Sequence, residues 1–290
     1  MNKILVTGAS GFIGSALTCR LKSSGHDVIA MDSTTGDIAS ADTLAGLEEE
    51  DFRHIFHLAG RTYVPNSWAD PLAFCQTNVL GTVNVLEFCR KKHAAMTYVS
   101  AYVYGHPDSL PVSEDSAIRP SNPYALTKRL AEETCEFYSI TYDLPMTVIR
   151  PFNVYGIGQE KHFLIPSIID QALDGGKNIV VKDLLPRRDY IYLDDLVTAL
   201  LGTLGKADGY RVYNIGSGAS LSVQEVIDVI QTVASTNKNV VCDQATRPNE
   251  LMDVVADISR AGNELGWHPR VSFNAGIERV IRSEREKRHA

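Results

Sequence analysis

A short β-branched run at 3–7 leads straight into Gly8, Gly11 and Gly14, and an amphipathic stretch opens at Phe12. A strand that turns sharply into a helix through three spaced glycines constrains the chain more than any other feature. The tight turn, a close backbone approach to a pyrophosphate and tight helix-on-sheet packing each need a residue without Cβ, and the helix N-terminus faces the anion. The spacing is G-x-x-G-x-x-G, a variant of the dinucleotide-binding G-x-G-x-x-G. It makes Gly8, Gly11, Phe12, Ile13 and Gly14 the candidate phosphate-facing residues. Asp32, followed by Ser33, ends the second β-branched run, where an acid accepts hydrogen bonds from the adenosine ribose. A carboxylate there repels a 2′-phosphate, so NAD is favoured over NADP. The other reading of Asp32 is a cap on the turn before Ser33 and Thr34.

The rest of the first two thirds repeats the alternation. Strands are expected at 28–31, 54–58, 97–100 and 147–150, and helices at 12–24, 71–92 and 124–142. Strands apolar nearly throughout suit a parallel sheet covered on both faces, a doubly wound α/β fold. After Pro151 prolines and glycines shorten the elements. Helical patterns at 165–173, 194–204, 223–234 and 258–265 alternate with strand patterns at 179–181 and 212–215, and the charged 282–290 reads as a solvated helix end. We expect a dinucleotide-binding domain over 1–157, rejoined by about 188–216, and a smaller mixed α/β substrate lobe over 158–290. With 28 Lys and Arg against 35 Asp and Glu, the net charge of −7 argues against a nucleic-acid partner. No run of 18 apolar residues offers a membrane span, and the start has no signal-peptide pattern. Five cysteines without a C-x-x-C pair read as reduced, mostly buried thiols of a cytoplasmic protein.

Tyr124 and Lys128 stand four apart at the start of a helix led in by Asn122 and Pro123, so they share a face. An ammonium near a phenol favours the phenolate, which suits the tyrosine to acid–base work near neutral pH. Taken alone, such a pair is also what surface neighbours look like. Ser100 ends the preceding strand, where ligands of open parallel sheets bind. It is placed either to hold the substrate oxygen whose proton Tyr124 handles or to satisfy a turn. His54 and His57 lie three apart on a strand and point to opposite faces, and no histidine group has metal-ligand spacing.

These residues, with the segments 57–60, 78–82, 150–156, 188–195, 214–218 and 247–250, resemble the extended short-chain dehydrogenase/reductases, the NAD-dependent epimerase/dehydratase family acting on nucleotide sugars. The resemblance spans nearly the whole chain. It implies a Rossmann domain holding NAD and a C-terminal lobe holding a nucleoside diphosphate sugar. On that resemblance Asp37 and Ile38 flank the adenine, Leu58, Ala59 and Gly60 line the dinucleotide, and Asn78 and Pro151 lie on the cofactor side. Asn153 and Arg188 contact the diphosphate of the sugar nucleotide, and Arg247 and Glu250 its nucleoside. The bland alternative for Arg188 is an ion pair with Asp189 or Asp194. The family's helices carrying 86–89 and 124–137 imply a homodimer, with Val79, Val83, Leu86 and Phe88 as a compatible stripe.

Two departures from the family pattern sharpen the expected activity. Family dehydratases place an acidic pair after the catalytic Ser or Thr; here Ala101 and Tyr102 follow Ser100, which disfavours 4,6-dehydration. Only four residues separate Asp32 from Asp37, where many epimerases insert a further helix and strand; the compact form, with Pro65 to Trp68, resembles the 4-ketoreductases. The first expectation is an epimerase, in which Tyr124 takes the C4 hydroxyl proton, a 4-keto sugar turns over, and reduction occurs on its other face. The alternative is an NAD(P)H-dependent 4-ketoreductase using the same residues. A non-catalytic dinucleotide sensor is a third reading, against which both Tyr124 and Lys128 stand. Sugar specificity is expected in the loops 62–68, 156–166 and 183–186.

Overall fold

The computed structural model describes residues 3–206, 208–242 and 250–289. Its strands are β1 (Lys3–Thr7), β2 (Val28–Met31), β3 (Phe52–His57), β4 (Ala95–Val99), β5 (Met146–Pro151), β6 (Asn153–Tyr155), β7 (Asn178–Val181), β8 (Arg187–Tyr192), β9 (Tyr210–Ile215), β10 (Ser220–Ser222) and β11 (Asn239–Cys242). Its helices are α1 (Phe12–Ser23), α2 (Val64–Ala69), α3 (Pro71–Cys75), α4 (Gly81–Lys92), α5 (Pro123–Tyr142), α6 (Leu164–Leu173), α7 (Leu193–Gly202), α8 (Val223–Ala234) and α9 (Phe273–His289). A six-stranded parallel sheet in the order β2-β1-β3-β4-β5-β9 forms the Rossmann-type core. The chain moves outward from β1 to β2, then crosses back to β3 on the other side of β1. That reversal opens a crevice beyond the carboxyl ends of β1 and β3.

Alternation along the strands assigns the layers. Ile4 and Val6 of β1 face α1 and α7, packing with Leu17, Leu21, Leu196 and Leu200. Leu5 between them faces α4 and α5, packing with Leu86, Cys89, Ala131 and Cys135. Both faces are therefore covered, which is why these strands carry almost no polar alternation. Of the stripe compatible with a dimer, Leu86 and Phe88 are buried in the sheet-facing core, while Val79 and Val83 are half-buried. The exposed apolar face belongs to α5, through Leu126, Leu130, Phe137 and Ile140.

The compact first half has a direct structural counterpart. After β2 the chain turns, passes through a 3₁₀ segment, Ala41–Leu47, and enters β3, so β2 is the edge strand of the sheet among the described residues. The uninterrupted helix expected at 71–92 is instead α3, a π-turn at Gln76–Leu80 and α4. The 3.6-residue period of a sequence cannot register such an inserted residue. The expected helix at 258–265 ends in a π-turn, Ala261–Leu265, and 282–289 continues α9, whose Ile277, Val280 and Ile281 are buried.

Beyond the main sheet, β10, β8 and β6 form a three-stranded mixed sheet and β11 pairs with β7 in parallel. These, with α6, α8 and α9, enclose a second core around Ile168, Ile179, Ile227 and Ile277. The strands at 153–155, 187–192 and 220–222 escape a period-2 reading because they are short or carry charged residues. All five cysteines are free; Cys89 and Cys135 are buried and Cys242 half-buried, but Cys19 and Cys75 are exposed, contrary to the expectation of mostly buried thiols. No helix among the described residues is long and apolar enough to cross a membrane.

Candidate active site

One cleft of about 1350 Å³ runs from the β1–α1 loop to the face of β8. It exceeds the roughly 300–1,000 Å³ of a site for one drug-sized ligand. At one end Gly8 turns the chain with φ +70°, a conformation that glycine adopts without strain. A Cβ on Gly8 would stand 2.7 Å from the Ala59 nitrogen, and one on Gly14 would stand 2.0 Å from the Gly8 carbonyl oxygen. A Cβ on Gly11 would meet only that carbonyl, at 3.2 Å. Gly11 is also the N-cap of α1, so the free amides of the first helical turn open on the cleft beside Phe12 and Ile13.

Asp32, Ser33, Asp37, Ile38, Leu58, Ala59 and Gly60 line the same end. Asp32 is engaged as a turn cap, accepting from the Thr34 hydroxyl at 2.6 Å and the Thr34 amide at 2.9 Å. Those bonds, with Ser10, hold its carboxyl below the usual range, so it meets the cleft as an anion. The two readings of Asp32 thus coexist: the cap keeps the carboxylate charged and leaves it at the cleft wall.

Asn78 is the exception among the cofactor-side residues. It is buried behind Gly60 and does not line the cleft. Its Oδ1 accepts from the Arg61 amide at 2.8 Å, and its Nδ2 donates to the Arg61 carbonyl and to Thr127 Oγ1. The π-turn aims Asn78 inward, where it ties the loop after β3 to α5. His57, next to that loop, is buried between Thr7 Oγ1 at 2.7 Å and Thr82 Oγ1 at 3.0 Å, and burial pushes its pKa down to about 3. His54, on the other face of β3, is likewise neutral against Thr97. Both are core histidines, and no group of metal-ligating residues occurs among the described residues.

Helix α5 begins with Asn122 as its cap, Oδ1 accepting from the Ala125 amide at 2.8 Å, and with Pro123 in the first turn. This sets Tyr124 and Lys128 on the cleft wall. Lys128 Nζ donates to the Val99 carbonyl at 2.8 Å and lies 4.8 Å from the centre of the Tyr98 ring. Burial pulls the Lys128 ammonium down to about 8, with the Glu132 carboxylate pulling the other way. Burial also pushes the Tyr124 phenol above its ordinary value. Here the structure differs from the sequence expectation: the ammonium is directed to Val99, and desolvation governs the phenol. Ser100 completes the group at the end of β4, its amide bonded to the Ile149 carbonyl and its buried Oγ without a protein partner. It therefore satisfies no turn.

The far wall comes from β6 and β8, with Pro151 at the end of β5 leading into it. Asn153 pairs in register with Tyr190, and strand alternation puts Arg188 on the same face as Tyr190. Asn153 Nδ2 donates to the Asp189 carbonyl at 3.1 Å. Arg188 pairs with Glu250 and donates to the carbonyls of Arg187 and Leu251. Neither Asp189 nor Asp194 is its partner: Asp189 is buried under the amides of Ser217, Gly218 and Ala256, and Asp194 pairs with Arg279. Arg247 lies outside the described residues.

The buried pair Glu132–Arg150 behind this wall escaped the sequence reading. Arg150 holds both carboxylate oxygens, at 2.9 and 2.7 Å, and donates to Tyr104 at 2.8 Å. The available signal was the four-residue recurrence of Tyr124, Lys128 and Glu132 on one helix.

Comparison with known proteins agrees with this geometry. The profile of the NAD dependent epimerase/dehydratase family matches residues 4–216. The UDP-glucose 4-epimerase of Mycolicibacterium smegmatis is 32% identical, over 98% of this chain and 99% of its own. The GDP-6-deoxy-D-mannose reductase of Pseudomonas aeruginosa is 32% identical, over 99% of this chain and 98% of its own. Among solved structures, MoeE5 in complex with UDP-glucose and NAD superposes with a TM-score of 0.89 at 30% identity, covering 99% of both chains. The chain belongs to the NAD-dependent epimerase/dehydratase family.

Proposed function

We propose that the protein is an NAD-dependent nucleotide-sugar epimerase, acting by reversible hydride transfer at C4 of the sugar of a nucleoside diphosphate sugar. The observation that carries this reading is the convergence of Ser100, Tyr124 and Lys128 on one cleft with the glycine loop at one end and Arg188 at the other. The cradle fits NAD: the helix-α1 amides around Gly11 suit its pyrophosphate, and the charged Asp32 suits its adenosine ribose and disfavours a 2′-phosphate. The domain over 1–157 is assigned to the cofactor and the lobe over 158–290 to the sugar nucleotide, with Asn153, Arg188 and Glu250 as its contacts.

Bound NAD supplies a hydride acceptor that can return the hydride to either face of the sugar. Tyr124 takes the proton of the C4 hydroxyl and later gives it back. Ser100 Oγ, unpartnered within the protein, donates to that same oxygen. Lys128 holds positive charge beside the phenol, which it must do against the cost of its own burial. Ala101 and Tyr102 bring no carboxyl group next to Ser100, and the Tyr102 hydroxyl is committed to the Gly105 carbonyl at 2.7 Å. Elimination at C5–C6 therefore lacks its acid and base.

The assembly we propose is a homodimer through the exposed face of α5, and its compartment the cytoplasm, which suits five free thiols. The decisive assay is purified protein with UDP-glucose, UDP-galactose and the single 4-keto sugar nucleotide they share, following NADH absorbance and product stereochemistry. Interconversion without net NADH change is expected. Stoichiometric NADH consumption would replace the epimerase by the ketoreductase.

A further inference from the structure

We propose that Glu132 is a positioning residue for catalysis: clamped by Arg150 behind the active site, its carboxylate keeps Lys128 in its charged form. The inference rests on the reading of Lys128 as the charged partner of Tyr124, and it adds a residue that touches neither substrate nor cofactor.

Tyr124, Lys128 and Glu132 recur every four residues along α5, so their side chains follow one another along the face that meets the sheet. Lys128 reaches the end of β4 through the Val99 carbonyl, while Glu132 reaches the end of the adjacent β5 through both oxygens on Arg150. Glu132 has no solvent exposure, and Arg150 is almost as deeply buried. Arg129 adds a contact 3.5 Å from Glu132 Oε2. Arg150 is fixed in turn by the Tyr104 hydroxyl, which donates to Asn214 on β9. The carboxylate is thus held from α5, β5 and the loop after β4 together.

The groups facing Lys128 are His57 from β3, Tyr98 from β4, and Glu132 and Cys135 from α5, with Tyr124 one turn before it on the same helix face. Burial leaves His57 neutral, and it raises the Tyr98 and Cys135 protons out of the neutral range. Glu132 is then the carboxylate that opposes the desolvation of Lys128. An ammonium taken from water needs such a counter-charge, and without it burial selects the neutral amine. A Lys128 neutral at pH 7 has no charge with which to stabilise the Tyr124 phenolate. A merely structural clamp between α5 and β5 would leave the proton affinity of Lys128 alone, which separates the two roles.

The test is an NMR titration of the Lys128 ε-methylene, assigned with Lys128→Met, in the whole protein and in Glu132→Gln. The unsubstituted protein should titrate near 8. Glu132→Gln should move the midpoint down by about one unit or more. Because that variant leaves a buried guanidinium unpaired, Glu132→Gln/Arg150→Met is measured beside it and should also move the midpoint down, by less, since the cation that opposes the carboxylate is gone as well. An unchanged midpoint in either variant overturns the proposal, and so does failure of the double variant to fold, which assigns the pair to stability alone. In turnover, the alkaline limb of kcat/KM should move with the midpoint. If the unsubstituted protein turns over no nucleotide sugar while the midpoint still moves, the functional reading fails and the role of Glu132 stands.

Discussion

Ser100 leaves a buried hydroxyl without a protein partner, and such a group costs about 1–3 kcal/mol unless a ligand or water completes it. Ser100→Ala should therefore hold or raise the melting temperature while lowering kcat, a split that scanning calorimetry and initial rates read together. Tyr124→Phe should lower kcat by about 10²- to 10⁴-fold, the usual worth of a general acid–base group, with NAD still bound. A sensing role predicts no loss. His54 and His57 carry folded pKa values near 3 against 6.5 in the unfolded chain. Between those values the unfolded chain binds more protons, so stability present above pH 6.5 falls as the pH drops toward 3. By pH 4 the loss should be about 3 kcal/mol per histidine. Urea midpoints at pH 7 and pH 4 check this, and a His54→Gln variant should show a smaller fall. Lys128 acts with the same sign in a higher window: its folded value near 8 against 10.5 makes stability rise with pH between the two.

Among the elements, the β1–α1 turn was legible because its requirements are local. Gly8 needs a positive φ and Gly14 needs contact with a carbonyl one turn away, and both demands leave glycine in the sequence. Gly14→Ala, with 2.0 Å between its Cβ and the Gly8 oxygen, should abolish NAD binding in a fluorescence titration while the far-UV spectrum changes little. Helix α5 was legible for the same reason, since Asn122, Pro123 and the four-residue spacing of Tyr124 and Lys128 all act within two turns. The π-turn at 76–80 was not. It answers to Asn78 bonding Arg61 and Thr127, residues 17 and 49 positions away, and no helical period encodes that demand. The strands β6, β8 and β10 were missed for a related reason: three to six residues with Asn, Arg or Ser among them become strands only when neighbours supply their hydrogen bonds.

At the scale of the whole molecule, the two ends of the cleft are built by chain segments far apart, and α5 lies at the centre of it. Its inner face carries Tyr124, Lys128 and Glu132, and its outer face leaves Phe137 and Ile140 in solvent, Ile140 at 75% exposure. That exposed apolar face is the surface on which the proposed homodimer rests. Phe137→Glu should convert a dimer to a monomer in light scattering at micromolar concentration; a native protein already monomeric there would refute the assembly. Apolar spacing marks a face without saying which neighbour covers it: of Val79, Val83, Leu86 and Phe88, the last two are buried in the sheet-facing core and the first two are half-buried.

The doubly wound core, the glycine turn after β1 and the shared helix face of Tyr124 and Lys128 are legible in the sequence, because backbone geometry and side-chain period act over a few residues. The tertiary structure decided who partners whom. Arg188 turned to Glu250, 62 positions on, rather than to its neighbouring aspartates, and Arg150 turned to Glu132. Lys128 answered to a carbonyl and a buried carboxylate before any phenol. Charge in a low-dielectric interior is settled by whatever is within a few ångströms, and only the folded chain brings those groups together.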